Sequence, residues 1–188
     1  MRNLPFLNKD TVMVFYGHRQ SELQVSYSGK LSRILFNYFF KDQQQLQFKY
    51  DQHGKPISWG DTFHISISHS KEIVICAISD HPIGIDIEFK RFLPRKCFEF
   101  ANEVYGKLFH INQLDDWCRL EAIVKLTGQR LGKFQPENLQ LNKIKTENIH
   151  IHKDYHCVLC YQGQPKTILI KEISIKKAID YANYKNVS

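Results

Sequence analysis

Apolar residues alternate with polar ones along most of the chain, and three stretches break that rhythm with a helical one. Thr11 to Tyr16 alternates and predicts a strand. Lys30 to Phe40 sets Leu31, Ile34, Leu35 and Tyr38 along one face, as an amphipathic helix does. The period of two then returns in Leu46 to Tyr50, Thr62 to Ser68, Glu72 to Ser79 and Pro82 to Phe89, with Gly54-Lys-Pro56 among the turns between them. After Pro94 the pattern is helical to about Leu108, and again from Gln113 to about Gly128, where a glycine and basic residues suit a helix end. Strand-like alternation resumes in Leu139 to Leu141, Ile149 to Ile151, Cys157 to Tyr161 and Thr167 to Ile175, and Lys176 to Ser188 is polar enough to fray.

One predicted strand carries an unusual face. In Pro82-Ile-Gly-Ile-Asp-Ile-Glu-Phe89 the period of two turns Ile83, Ile85 and Ile87 one way and Gly84, Asp86 and Glu88 the other. A strand that buries three isoleucines therefore carries two carboxylates one pleat apart beside a glycine. The helix from Gln113 has a comparable division: Trp117, Glu121 and Lys125 share a face, while Leu120, Ile123, Val124, Thr127 and Leu131 form the neighbouring stripe. Taken alone, Glu121 and Lys125 read as a surface ion pair worth a few tenths of a kcal/mol.

Composition narrows the setting. The chain has 188 residues, 43% of them hydrophobic and 13% aromatic, enough to bury a real core in one large domain or two small halves. It has no run of eighteen apolar residues, and its start lacks the apolar core of a signal peptide, so the expectation is a soluble cytoplasmic protein that does not insert in membranes. The five cysteines (76, 97, 118, 157 and 160) are scattered and odd in number, which favours reduced thiols. Cys157 and Cys160, close to His150, His152 and His156, resemble half of a zinc site, but no second pair has metal-ligand spacing and an ordinary strand is the better reading.

A formal charge of +7 favours polyanionic partners: nucleic acid, a phosphorylated cofactor or an acidic protein surface. No dense basic block, helix-turn-helix pattern or Cys/His finger singles out nucleic acid. In Phe63-His-Ile-Ser-Ile-Ser-His-Ser70, Phe63, Ile65 and Ile67 fill one face, and Ser68, His69 and Ser70 fall where the strand meets a turn, a chemistry suited to phosphate. A local Ser-His nucleophile is disfavoured, since neighbours in an extended chain point apart and no Gly-x-Ser-x-Gly elbow is present.

Gly54-Lys-Pro56, Ile65-Ser-Ile-Ser-His-Ser70, Gly84-Ile-Asp-Ile-Glu88 and Trp117-x-x-x-Glu121-Ala122-x-x-Lys125 come in the order and approximate spacing of the 4'-phosphopantetheinyl transferase superfamily. The chain resembles its two-subdomain, surfactin-synthetase-activating type, well over about residues 50 to 130 and elsewhere in general layout. Two positions depart from the usual pattern: Ser66 stands where the family often has Asn, and Leu120 where it often has Lys.

The resemblance implies an α+β fold of two similar α/β subdomains related by a pseudo-twofold axis, residues 1–81 and 82–188, with the active site in the cleft between them. It implies coenzyme A as the donor substrate, a serine of an apo acyl or peptidyl carrier protein as the acceptor, and 3',5'-ADP as the product. Asp86, Glu88 and Glu121 would hold Mg²⁺, with Mn²⁺ possible, since hard cations on diphosphates take a few carboxylate ligands. Glu121 would be the base and Lys125 would stabilise charge on the phosphoryl oxygens. Lys55, Ser68 and His69 would hold the nucleotide end of coenzyme A, with His69 near the 3'-phosphate. Lys30 and Arg33 match only loosely and read better as a solvated helix face. A monomer is the natural expectation for fused halves. Three other classes stay open: a non-catalytic module binding coenzyme A or a carrier, suggested by Ser66 and Leu120; a Mg²⁺-dependent nuclease or phosphohydrolase; and a basic nucleic-acid-binding protein.

Overall fold

The computed structural model describes residues 10–18, 28–40, 48–50, 56–58, 63–106, 109–135, 140–163, 165 and 167–185. In chain order these form β1 (Thr11–His18), α1 (Ser28–Phe39), β2 (Phe48–Tyr50), β3 (Pro56–Ser58), β4 (His64–Ser70), β5 (Ile73–Ser79) and β6 (Ile83–Phe89). There follow α2 (Arg95–Tyr105), α3 (Leu114–Thr127), β7 (Ile144–Asn148), β8 (Tyr155–Gln162), β9 (Thr167–Glu172) and α4 (Ile175–Lys185). The fold is mixed α/β. One sheet runs β2-β3-β4-β5-β1-β9, and the other β6-β8-β7.

Three apolar clusters arrange these elements in layers. Val12 and Val14 of β1 and Ile73, Ile75 and Ala77 of β5 meet Ile83, Ile85 and Ile87 of β6 and Cys157 and Leu159 of β8, so the two sheets pack face to face. The isoleucines of β6 are each at most 1% exposed, and burying such a side chain stabilises by roughly 1.5–3 kcal/mol. Phe15, Cys76 and Ile78 on the other face of the first sheet pack with Leu35 and Phe36 of α1 and Ile175 and Ala178 of α4. The outer face of the second sheet, with Val158 and Cys160, is covered by Cys118, Leu120, Ala122, Ile123 and Val124 of α3 and Ala101 and Tyr105 of α2. Every residue of β5 is buried, as its near-continuous apolar run requires of a strand covered on both sides.

The boundary at residues 81 and 82 falls in the short connection between β5 and β6, and the chain later returns to the first sheet. There β9 lies parallel to β1 and α4 packs beside α1. Helix α3 has clear end signals: Gln113 and Asp116 form a reciprocal capping box, and Gly128 closes the helix at φ 75° in the left-handed region.

The structure departs from the sequence expectation in several places; residues 149–151, expected as a strand, lie in the connection between β7 and β8. Residues 176–185 form most of α4, because Ile175, Ala178, Ile179 and Ala182 make a helical stripe among the lysines and Ile175 and Ala178 bury against α1. The strand beside β8 is Ile144–Asn148, whose side chains are largely exposed, whereas residues 141–143 form a 3-10 turn. Backbone pairing to β8 fixed that strand, so alternation could not reveal it. Pro56, read as the end of a turn, begins the strand of residues 56–58, which pairs with β2 and β4.

Candidate functional site

The second half meets the first at a line of serines. Strand β6 is an edge strand of the three-stranded sheet, so alternate backbone N–H groups along its free side lack a strand partner. Ser66, Ser68 and Ser70 lie on one face of β4, as residues two apart must, and take over that role. Their hydroxyl oxygens accept hydrogen bonds from the N–H groups of Ile85 at 3.0 Å, Ile87 at 3.4 Å and Phe89 at 3.0 Å. Two of the hydroxyls turn their own protons to the acidic face of β6. Ser68 donates to Oδ1 of Asp86 at 2.7 Å and Ser70 to Oε2 of Glu88 at 3.0 Å.

Helix α3 lies across the same face of β6. A Cβ on Gly84 would overlap the carbonyl oxygen of Ala122 and stand 2.6 Å from the backbone N of Leu126, so the glycine admits the helix backbone itself. That close approach brings Cys118, Glu121 and Lys125 over Asp86. The Lys125 ammonium is 2.5 Å from Asp86 Oδ1 and donates to Ser68 Oγ at 2.9 Å. Burial opposes its charge, but the Asp86 carboxylate, its hydrogen bond and Glu121 outweigh burial and hold the ammonium above the ordinary lysine range.

Negative charge is crowded here. Burial and then the Asp86 charge push Glu121 up to about 6, with Lys125 pulling against them and Glu88 adding to the rise. Glu88 is raised by burial and by Asp86, against the Ser70 hydrogen bond, Arg91 and Lys125. Asp86 is 4% exposed, and its Oδ2 is buried with no hydrogen-bond partner among the described residues. A buried charged oxygen without a donor is costly unless something else meets it. Three carboxylates around one ammonium, one of them with such an oxygen, have the donor chemistry that a hard divalent cation takes. They are gathered by charge more than by ligand distance: the three do not offer one oxygen each within 4.8 Å of one another. Among the described residues only Asp10, Asp80 and His81 do that.

The remaining sequence candidates divide. His69 is exposed at the end of β4, and its imidazole is held below the ordinary histidine range by partial burial and by Lys125, against Asp86. Lys55 and the side chain of Lys30 lie outside the described residues, and Arg33 is exposed on α1. Leu120 is 1% exposed in the core, and Ser66 is 2% exposed within the serine line. Cys157 and Cys160 are buried in β8, as an ordinary strand would have them. Sequence reasoning gave Ser70 only a general phosphate chemistry and missed its bond to Glu88, and with it Arg91, whose guanidinium lies 3.7 Å from Glu88. The Ser-x-Ser-x-Ser spacing was the available signal for Ser70.

The order of motifs that meet in this geometry can be compared with known proteins. The likeness is to 4'-phosphopantetheinyl transferases. The chain is 39% identical over 123 residues to the transferase Gsp of Aneurinibacillus migulanus, covering 56% of this chain and 48% of that protein. It is 30% identical over 106 residues to Sfp of Bacillus subtilis (strain 168), covering 48% and 45%, and 29% identical over 117 residues to Psf-1 of Bacillus pumilus, covering 54% and 48%. The chain thus spans about half the length of the curated relatives it matches. No family model matches it. The resemblance read from four short motifs is a resemblance over about half the chain. Among the described residues no helix is long and apolar enough to cross a membrane.

Proposed function

We propose that this protein transfers the 4'-phosphopantetheine group of coenzyme A to a serine hydroxyl of an apo acyl or peptidyl carrier protein, with release of 3',5'-ADP. The observation that carries the reading is the buried Oδ2 of Asp86, without a hydrogen-bond partner among the described residues, in a carboxylate crowded by Glu88 and Glu121 and paired with Lys125. Asp86, Glu88 and Glu121 would hold Mg²⁺, or Mn²⁺ in its place, which would neutralise diphosphate charge and steady the leaving phosphate.

In the reaction the carrier serine oxygen forms a bond to the phosphorus that bears pantetheine, and the bond from that phosphorus to the bridging oxygen of the diphosphate breaks. Glu121, directly or through a water, takes the serine proton. Lys125 meets charge on the phosphoryl oxygens. Lys55 and His69 serve the nucleotide end, with the exposed His69 nearest the 3'-phosphate, while the buried Ser68, its proton on Asp86 and its lone pairs on the Ile87 N–H and Lys125, backs the site from behind.

Residues 1–81 and 82–188 act in this reading as two subdomains of related architecture, the second lending β9 and α4 to the first, with the substrate in the cleft between them, in a monomeric cytoplasmic enzyme. Both departures from the usual motifs have structural occupations, Leu120 in the core and Ser66 on the Ile85 N–H. They therefore supply no support for a non-catalytic binding module.

The test is intact-mass analysis of a panel of apo carriers incubated with the protein, coenzyme A and Mg²⁺. The expected result is a gain of one phosphopantetheine on at least one carrier, lost with a chelator and in Asp86→Ala and Glu121→Ala. No gain on any carrier overturns the activity, and a gain that survives Asp86→Ala overturns the site.

A further inference from the structure

We propose that Ser70 is a positioning residue for Glu88, the hydroxyl that fixes where this carboxylate stands at the cation site. The inference rests on the transferase reading for the identity of the cation and goes beyond it in assigning Ser70. A serine hydroxyl has one proton to give and lone pairs to accept with. At Ser70 the Phe89 N–H, 3.0 Å away, engages the oxygen as an acceptor, and the proton runs to Glu88 Oε2 at 3.0 Å. The backbone of β6 thereby anchors the hydroxyl that orients the side chain one residue earlier in the same strand. The one cation on that oxygen among the described residues, Arg91, stands at 3.7 Å and is half exposed, so it is a looser restraint than the hydroxyl.

Ser66 supplies an internal comparison. It accepts from the Ile85 N–H at 3.0 Å just as Ser70 accepts from Phe89, and among the described residues it donates to no carboxylate. Loss of the Ser66 hydroxyl disturbs the joint between β4 and β6 alone, whereas loss of the Ser70 hydroxyl disturbs the joint and releases Glu88. Groups that orient a metal ligand cost roughly ten- to a hundredfold in metal affinity when removed.

The experiment titrates Mn²⁺ into the full chain without coenzyme A, by electron paramagnetic resonance of the free ion, alongside urea unfolding and carrier mass gain. Ser70→Ala is expected to weaken Mn²⁺ binding roughly tenfold, and Ser70→Thr, which keeps the hydroxyl, to stay within about threefold of wild type. Ser66→Ala is expected to lower the unfolding midpoint as Ser70→Ala does while leaving Mn²⁺ affinity unchanged. Should Ser70→Ala not fold, Ser70→Cys, with a similar shape and a weaker donor, is expected to show an intermediate loss. Wild-type affinity in a folded Ser70→Ala or Ser70→Cys, or an equal loss in Ser66→Ala, overturns the assignment while wild-type mass gain leaves the transferase reading standing. If the wild type binds no Mn²⁺, the assignment falls with the cation site; if it binds Mn²⁺ but modifies no carrier, the transferase reading alone falls.

Discussion

The α-carbon of Gly84 lies against the carbonyl oxygen of Ala122, so close that a single methyl group would overlap it. Gly84→Ala ordinarily stabilises by limiting the unfolded chain, by about 0.4–1 kcal/mol where the native backbone tolerates it. Here both atoms in the way are backbone atoms of α3, which cannot swing aside as a side chain would. The substitution is expected to destabilise by about 2–3 kcal/mol, as overpacking does, and to lift Glu121 and Lys125 away from Asp86. Urea unfolding and carrier mass gain check this together; a variant as stable as wild type would show that α3 is free to yield.

The crowding around Glu121 makes a prediction with a definite sign. Its folded-state affinity for a proton is raised from 4.5 to about 6, so the folded protein holds that proton more tightly than the unfolded chain does. This contribution favours the fold at low pH and is lost as pH climbs from about 4.5 through about 6, by about 2 kcal/mol in all. In chelator, the stability difference between wild type and Glu121→Gln should therefore grow through this window in favour of the variant and level off above it. Urea midpoints at a series of pH values provide the measurement, and parallel curves would remove the electrostatic account. Added Mg²⁺ should reduce the difference, since a cation favours the charged form.

The pair formed by Lys125 and Asp86, 2.5 Å apart, is mostly buried on the carboxylate side. Lys125→Met leaves Asp86 with the Ser68 hydroxyl and the weaker Cys118 thiol as side-chain donors among the described residues, and breaking one side of such a pair costs about 3 kcal/mol. Asp86→Asn in the same chain should recover at least about 1 kcal/mol of that loss, the coupling expected of residues in contact. A double-mutant cycle in urea reads the coupling directly; additive losses would mean the ammonium is better solvated than its contacts imply.

The fold was legible where side chains decide it and obscure where backbone does. Ile83, Ile85 and Ile87 announced a strand with one deeply buried face, and Leu120, Ile123 and Val124 announced the core side of α3. Residues 144–148 gave no such signal, because that strand is held by pairing to β8 while its side chains face water. At the site, the sequence showed two carboxylates and a glycine on one face and a third carboxylate with a lysine on another. It could not show that the glycine exists to admit Ala122 and Leu126, which unites those faces. Nor could alternation assign Ser66, Ser68 and Ser70 to a neighbouring strand, since hydrogen-bond partners eighteen and nineteen residues away depend on how two sheets meet.

The cysteines allow a direct check of the second sheet. Burial pushes the thiols of Cys76, Cys118, Cys157 and Cys160 up, Cys118 and Cys157 further by the neighbouring Asp86, so none forms the reactive thiolate readily. Cys97, on α2, is the only one of the five that is not fully buried. An aromatic disulfide reagent should therefore release one equivalent quickly from the native protein and the other four only as it unfolds. A zinc chelator should leave the melting temperature unchanged, because Cys157 and Cys160 serve β8 as small apolar residues. Rapid reaction of several thiols, or a large fall in melting temperature on chelation in zinc-loaded protein, would return the Cys157 to Cys160 pair to the metal-binding reading.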